Sequence, residues 1–217
     1  MSTHLFLFGS GPPFTETLGK RFVEVMRKKI CIILVIDRPG IEDYRKTYEG
    51  LLKSLGVRCL FRPLPAVSEQ EICNELNDCG GIVIGGGHTE RYIDEVVEKT
   101  IGLTIRDQFY KGIPVAGFSA GAIISMETSM ISAKDHSSKR LRVRKGLGLQ
   151  KHTQVAVHFS EWEEEEHLRR ITKDDAIEGF GINEKSGIYF EDGIRNMIEG
   201  SGVYSIEAGV LRKLEGN

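Results

Sequence analysis

The run Gly117-Phe118-Ser119-Ala120-Gly121 has the residue types and spacing that point most directly to covalent chemistry. It fits G-x-S-x-G, in which small residues on either side permit a tight strand-to-helix turn that projects a serine hydroxyl. The flanks agree with that geometry, since Ile113 to Ala116 reads as a strand and an apolar helix begins near Ala120. The plain alternative is a Gly/Ser loop closing on a helix. A serine hydroxyl is a poor nucleophile until a base takes its proton, so a histidine is required. Of the six histidines, His4, His136, His152 and His167 fall at a strand start, in a polar loop, before a strand and on a helix, positions that suit surface groups. His88 follows Gly85-Gly86-Gly87, and His158 ends the strand Gln154 to Val157, so both are expected at the active edge of a sheet. His158 has the better claim, because a strand end is a rigid mount and a glycine loop is not.

The triple glycine has two chemical readings. Glycines let backbone N–H groups approach an anion, which suits a phosphate cradle. There is no GxGxxG or GxxxxGK[ST], however, so no lysine is placed to reach a nucleotide phosphate. Beside an activated serine, the loop makes better sense as half of an oxyanion hole, with the Ala120 N–H as the other half.

These groups need a scaffold, and the first two thirds of the chain alternates strand and helix signals. Strands are expected over Leu5 to Phe8, Ile30 to Ile36, Val57 to Phe61, Gly81 to Ile84 and Ile113 to Ala116. Helices are expected over Phe14 to Lys28, Ile41 to Leu55, Ser68 to Leu76 with Ser68 as N-cap, and Thr89 to Phe109. This alternation means an α/β fold with a parallel sheet covered on both faces and reactive groups at the carboxyl ends of its strands. Beyond Met130 the sequence turns polar as far as Lys145, then gives a strand at Gln154 to Val157, a helix at Glu163 to Ile171, and a glycine-punctuated, strand-rich end. With 217 residues and no linker or repeat, residues 1–217 read as a single domain.

Composition narrows the function classes. Lys plus Arg number 29 against 31 Asp plus Glu, so the chain lacks the basic field that nonspecific nucleic-acid binding needs. The longest early apolar stretch, Leu5 to Phe8, is too short for a signal-peptide core, and no run approaches the about 20 residues of a membrane span. A cytoplasmic protein is expected, a monomer or homodimer, with no nucleic-acid or membrane partner. Cys31, Cys59, Cys73 and Cys79 lack zinc-site spacing and read as buried small hydrophobes or free thiols.

Taken in order, GGGHT at 85–89, GFSAG at 117–121, GLGL at 146–149, VAVHFSE at 155–161 and GFGINEKSG at 179–187 resemble the motifs of the serine peptidase family of dipeptidase E and cyanophycinase. The likeness spans most of the chain, and the GFSAG and VHFSE pair is its specific part. It implies a three-layer αβα sandwich with a mostly parallel central sheet, flavodoxin-like and related to class I glutamine amidotransferases, with serine at the elbow. It also implies Ser119 as nucleophile, His158 as general base, and Gly87 and Ala120 as oxyanion donors, with Gly86 and His88 in the substrate pocket. The expected activity is hydrolysis of a short peptide or peptide-like amide, as an exopeptidase, through an acyl-enzyme and without metal or cofactor. Two alternatives stay open: a noncatalytic amidotransferase-like binding domain, and an esterase or acyltransferase using the same serine.

In that family an acid after the nucleophile helix orients the histidine. Here the segment Ser132 to Lys139 holds one carboxylate, Asp135, which is the expected third member; Glu184 is the competing candidate. Family members that act on aspartyl groups carry arginines after the HFSE motif. This chain has Trp162-Glu163-Glu164-Glu165-Glu166 there, with Glu164 at an arginine position, and His88 replaces the asparagine common after the glycines. A carboxylate at 164 is expected to disfavour acidic side chains and favour a basic side chain or an α-amino group, while Glu163, Glu165 and Glu166 read as a solvated helix face. The basic run Lys139 to Lys145 reads as a solvated strand or loop with Leu141 and Val143 facing inward.

Overall fold

The computed structural model describes residues 1–65, 68–135, 139–174, 176–207 and 209–216. Its main sheet is built on five short strands, β1 (His4–Phe8), β2 (Ile30–Ile36), β3 (Arg58–Leu64), β4 (Gly81–Ile84) and β5 (Val115–Phe118). They run parallel in the order β1-β5-β4-β2-β3. Two further strands, β10 (Gly187–Glu191) and β11 (Ile194–Glu199), extend the sheet antiparallel beyond β1. Strand periodicity divides the side chains between two faces. Phe6, Phe8, Ile33, Val35 and Phe118 pack with Leu18 and Phe22 of α1 (Glu16–Val25) and with Tyr48 and Leu52 of α2 (Ile41–Ser54). Leu5, Leu7, Ile32, Leu34, Ile82 and Ile84 pack on the other side with α3 (Glu69–Asp78) and α5 (Thr100–Tyr110). The result is the expected helix-sheet-helix sandwich.

A second sheet joins β8 (Thr153–Val157), β9 (Glu178–Ile182), β12 (Val203–Glu207) and β13 (Val210–Leu214), in the order β13-β12-β9-β8. Strands β8 and β9 are parallel, and α7 (Glu165–Ile171) lies between them in the chain and packs on both. The sequence places His158 at the active, carboxyl-end edge of the sheet that also carries the glycine loop. Its strand belongs instead to the second sheet, and only the end of that strand reaches the main one, where the His158 N–H donates to Gly9 O at 2.8 Å.

Two local expectations need correction. The helix expected over Thr89 to Phe109 is α4 (Thr89–Tyr92), a π-helical turn at Ile93–Val97, and then α5. Lys99 is extended at the break, and Glu69 Oε1 accepts the Thr100 N–H at 2.5 Å, so a carboxylate on α3 starts the new helix. The polar stretch after Met130 contains an antiparallel hairpin, β6 (Thr128–Ile131) with β7 (Arg142–Lys145). Within its basic run Val143 faces solvent, and Arg144 turns to the acidic face of the π turn, meeting Asp94 at 3.0 Å and Glu98 at 2.7 Å. The charges of that neighbour, which the run's own alternation cannot reveal, select the inward residue. Among the described residues the four cysteines are free and no helix is long and apolar enough to cross a membrane.

Candidate active site

Strand β5 ends at Phe118 and α6 (Ala120–Ser125) begins one residue later, so Ser119 carries the whole change of direction. Its backbone sits at φ 48° and ψ −106°, a region that costs a non-glycine residue about 1–3 kcal/mol and persists only where the surroundings enforce it. They do so from both sides. The Ser119 N–H donates to Phe8 O at 2.9 Å, and Ser119 O accepts from the N–H groups of Ala122 and Ile123. The two glycines of the motif answer to close backbone approach: a Cβ on Gly117 would lie 2.5 Å from Gly121 O, and one on Gly121 would lie 2.2 Å from Ile84 O. The turn therefore admits no side chain at either position, and the serine between them is presented at the carboxyl end of the sheet.

His158 arrives from the second sheet with a left-handed backbone, φ 48°. Ser119 Oγ lies 3.0 Å from its Nε2, and its Nδ1 lies 2.8 Å from Glu184 Oε1. Glu184 stands in the short turn that carries the chain from β9 in the second sheet to β10 in the main sheet, which brings it to the end of β8. Asn183 ties the two turns together, its Oδ1 accepting from the Ser160 N–H at 3.0 Å and the Ser160 hydroxyl at 2.8 Å. Trp162 covers the imidazole in a parallel stack, with centroids 4.2 Å apart and planes 14° apart. The arrangement holds the ring in one plane between a hydroxyl and a carboxylate.

The other expected site residues fall as follows. Asp135 is not the carboxylate at His158. Its Oδ2 accepts from Thr89 Oγ1 at 2.6 Å, so it braces the segment after the glycine loop, while Glu184 occupies the position at Nδ1. The physical reason is topological: the turn between the two sheets delivers Glu184 to the end of β8, and the segment after β6 is tied to Thr89. Gly86 is buried beside Ser119, where a Cβ would come within 3.4 Å of Ser119 Cβ. Gly87 follows it at φ 153°, and Ala120 opens α6; neither N–H has an acceptor among the described residues. His88 is exposed and precedes α4. His4 pairs with Tyr189, and His136 lies outside the described residues.

Glu164 is buried and accepts a hydrogen bond from Ser132 Oγ at 2.7 Å, while Glu163, Glu165 and Glu166 are exposed as expected. Burial pushes the Glu164 carboxyl above its ordinary range. It lines a cavity of about 190 Å³ together with Ser132, Lys134, Leu141, His167 and Arg170. Lys134 Nζ reaches across the rim to the carbonyls of Trp162 and Glu163. His167, on α7, was expected at the surface. Burial instead holds its imidazole down at about 4, against an ordinary value of 6.5. An unfolded chain therefore takes up this proton first as the pH drops below about 6.5. The stability tied to neutral His167 is complete above that value and is lost as the pH falls towards 4. Thermal unfolding of His167→Gln is expected to show a smaller loss of Tm between pH 7 and pH 4 than the unsubstituted protein; identical slopes would contradict this assignment.

Sequence reasoning did not find Trp162 as the cover on His158, because stacking across a turn leaves no periodic signal. A sequence model of peptidase family S51 matches residues 18–198. A peptidase from an acI-B1 Actinobacterium superposes with a TM-score of 0.78 at 19% identity, covering 100% of this chain and 97% of that one. A proposed peptidase E protein from Listeria monocytogenes EGD-e gives 0.64 at 20% identity, covering 99% of this chain and 100% of its own. The comparison with curated proteins returned no match.

Proposed function

The chain belongs to peptidase family S51 and is a serine peptidase, and from that premise we propose that it is an exopeptidase that cleaves short peptides through Ser119, His158 and Glu184. One observation carries the reading: a strained serine whose Oγ lies 3.0 Å from His158 Nε2, with Nδ1 of the same ring 2.8 Å from a carboxylate. The Nδ1–H donates to Glu184, which leaves the Nε2 lone pair to accept the serine proton. Ser119 Oγ then attacks the scissile carbonyl, and the oxygen that becomes negative is received by the N–H groups of Gly87 and Ala120. His158 returns the proton to the leaving amine as the C–N bond breaks. Water, activated by the same imidazole, attacks the acyl-enzyme and releases the acid. Every step uses the chain's own groups and water.

The buried Glu164 supports a preference on the substrate side. A carboxylate within electrostatic reach of His158 disfavours an acidic side chain bound there and favours an amine, an effect of roughly 1–2 kcal/mol for charges separated by several ångströms of protein. A panel of dipeptides and simple acyl esters tests the activity: amide cleavage of dipeptides is expected, and turnover of esters alone would overturn it. Glu164→Gln keeps the shape and the Ser132 contact while removing the charge. It is expected to raise kcat/KM for acidic dipeptides relative to basic ones by about tenfold. An unchanged ranking would put Glu164 outside the specificity pocket.

A further inference from the structure

Beneath the glycine loop lie two buried tyrosines that the reaction steps above do not use. Tyr48, on α2, accepts the Gly86 N–H on its hydroxyl at 2.9 Å. Tyr92, which ends α4, donates its hydroxyl to Gly86 O at 3.4 Å and accepts the Ile36 N–H at 3.2 Å. The second bond shows why a tyrosine stands there. Strand β4 ends at Ile84, and Gly85 still donates to Leu34 O of β2 at 2.9 Å. The next donor on β2 is Ile36, whose N–H would be orphaned as the loop lifts away, and the Tyr92 hydroxyl satisfies it. Gly85 is fitted around both rings: a Cβ there would lie 2.7 Å from Tyr48 Oη and 3.1 Å from Tyr92 Oη.

The consequence follows from peptide planarity. Gly86 C=O and Gly87 N–H belong to one trans unit and point in opposite directions. A donor that holds Gly86 O toward the core therefore turns the Gly87 N–H away from the core, and Gly86 itself lies beside Ser119, where a Cβ would come within 3.4 Å of Ser119 Cβ. The Gly86 N–H, already committed to Tyr48, is removed from competition as an oxyanion donor. Burial raises both phenol groups, Tyr48 to about 12, so the hydroxyl protons are retained at working pH.

We propose that Tyr92 and Tyr48 are positioning residues that lock the Gly86–Gly87 peptide with the Gly87 N–H facing the oxyanion, an assignment that rests on Ser119 being the nucleophile. A misaligned donor weakens the transition state more than the bound substrate, so kcat falls and KM does not. The test uses Tyr92→Phe and Tyr48→Phe, which keep both rings. Three quantities are read: kcat and KM on a dipeptide that the unsubstituted enzyme cleaves, the inhibition constant of a peptide aldehyde, and the rate at which a fluorophosphonate labels Ser119. Tyr92→Phe is expected to lower kcat about 10- to 100-fold with KM within twofold. Aldehyde affinity and labelling rate should fall in step, because both adducts place an oxygen on the same donors. Tyr48→Phe, acting on the adjacent peptide, should show a smaller loss of the same kind. Folded variants that label and turn over at the unsubstituted rate would overturn the proposal while leaving the nucleophile in place, as would equal losses in kcat and substrate affinity. Should one variant not fold, the other decides. A wild-type protein that does not label at all would remove the nucleophile reading and this assignment with it.

Discussion

Ser119→Ala is expected to abolish peptide cleavage, with kcat reduced by about 10⁴-fold or more, and His158→Ala to do nearly the same. The two losses should not add. Without the nucleophile there is nothing for the imidazole to deprotonate, and without the imidazole the hydroxyl keeps its proton, so the double variant falls no further than Ser119→Ala. Neither change should unfold the protein. Alanine at 119 inherits the same strained turn, whose geometry is set by backbone bonds to Phe8, Ala122 and Ile123 rather than by the hydroxyl. The loss of His158 removes the stack on Trp162 but leaves the Asn183 bridge between the two turns. Steady-state kinetics on a dipeptide, with thermal unfolding as control, checks this. Activity within tenfold of normal in either folded variant would contradict the mechanism.

The second large effect separates two carboxylates. Glu184→Gln is expected to lower kcat by about 10²- to 10³-fold, whereas Asp135→Asn should cost less than about tenfold. Glutamine at 184 keeps the size and the turn but can present its NH₂ to Nδ1, which favours the tautomer with its proton on Nε2, facing Ser119, where it is useless as a base. The Glu184 side chain is 43% exposed, so water can partly replace it, and the loss is set below that for a fully enclosed acid. Asp135 meets Thr89 rather than the imidazole, so its amide analogue should affect loop placement more than proton transfer. The reverse order of losses would return the role to Asp135.

The Ser119 turn and the place of His158 are legible because each rests on local sequence. The two glycines around Ser119 are demanded by backbone contacts within a few ångströms, and a histidine at a strand end needs only a short apolar run to be recognised. The five parallel strands were legible for a related reason, since runs such as Gly81 to Ile84 are buried on both faces and carry no polar alternation to confuse them. The choice between Asp135 and Glu184, both of which the sequence offers, is not legible. Glu184 reaches His158 only because the chain crosses between two sheets at that turn, and strand pairing at that distance leaves no spacing rule in the sequence. The inward face of the basic hairpin is not legible either, because it is chosen by Asp94 and Glu98 on another element. Tyr48 and Tyr92 carry no such signal, since a tyrosine on the buried face of a helix is indistinguishable, by pattern, from any other core aromatic.

The central claim is that Ser119 is an activated nucleophile, and the most direct measurement is the intact mass of the folded protein after treatment with a fluorophosphonate, with Ser119→Ala alongside. The account predicts one adduct per chain, carried on Ser119, lost in Ser119→Ala and greatly slowed in His158→Ala. No adduct between pH 6 and 9 with either a fluorophosphonate or a smaller serine-directed reagent, or an adduct that persists in Ser119→Ala, would contradict it.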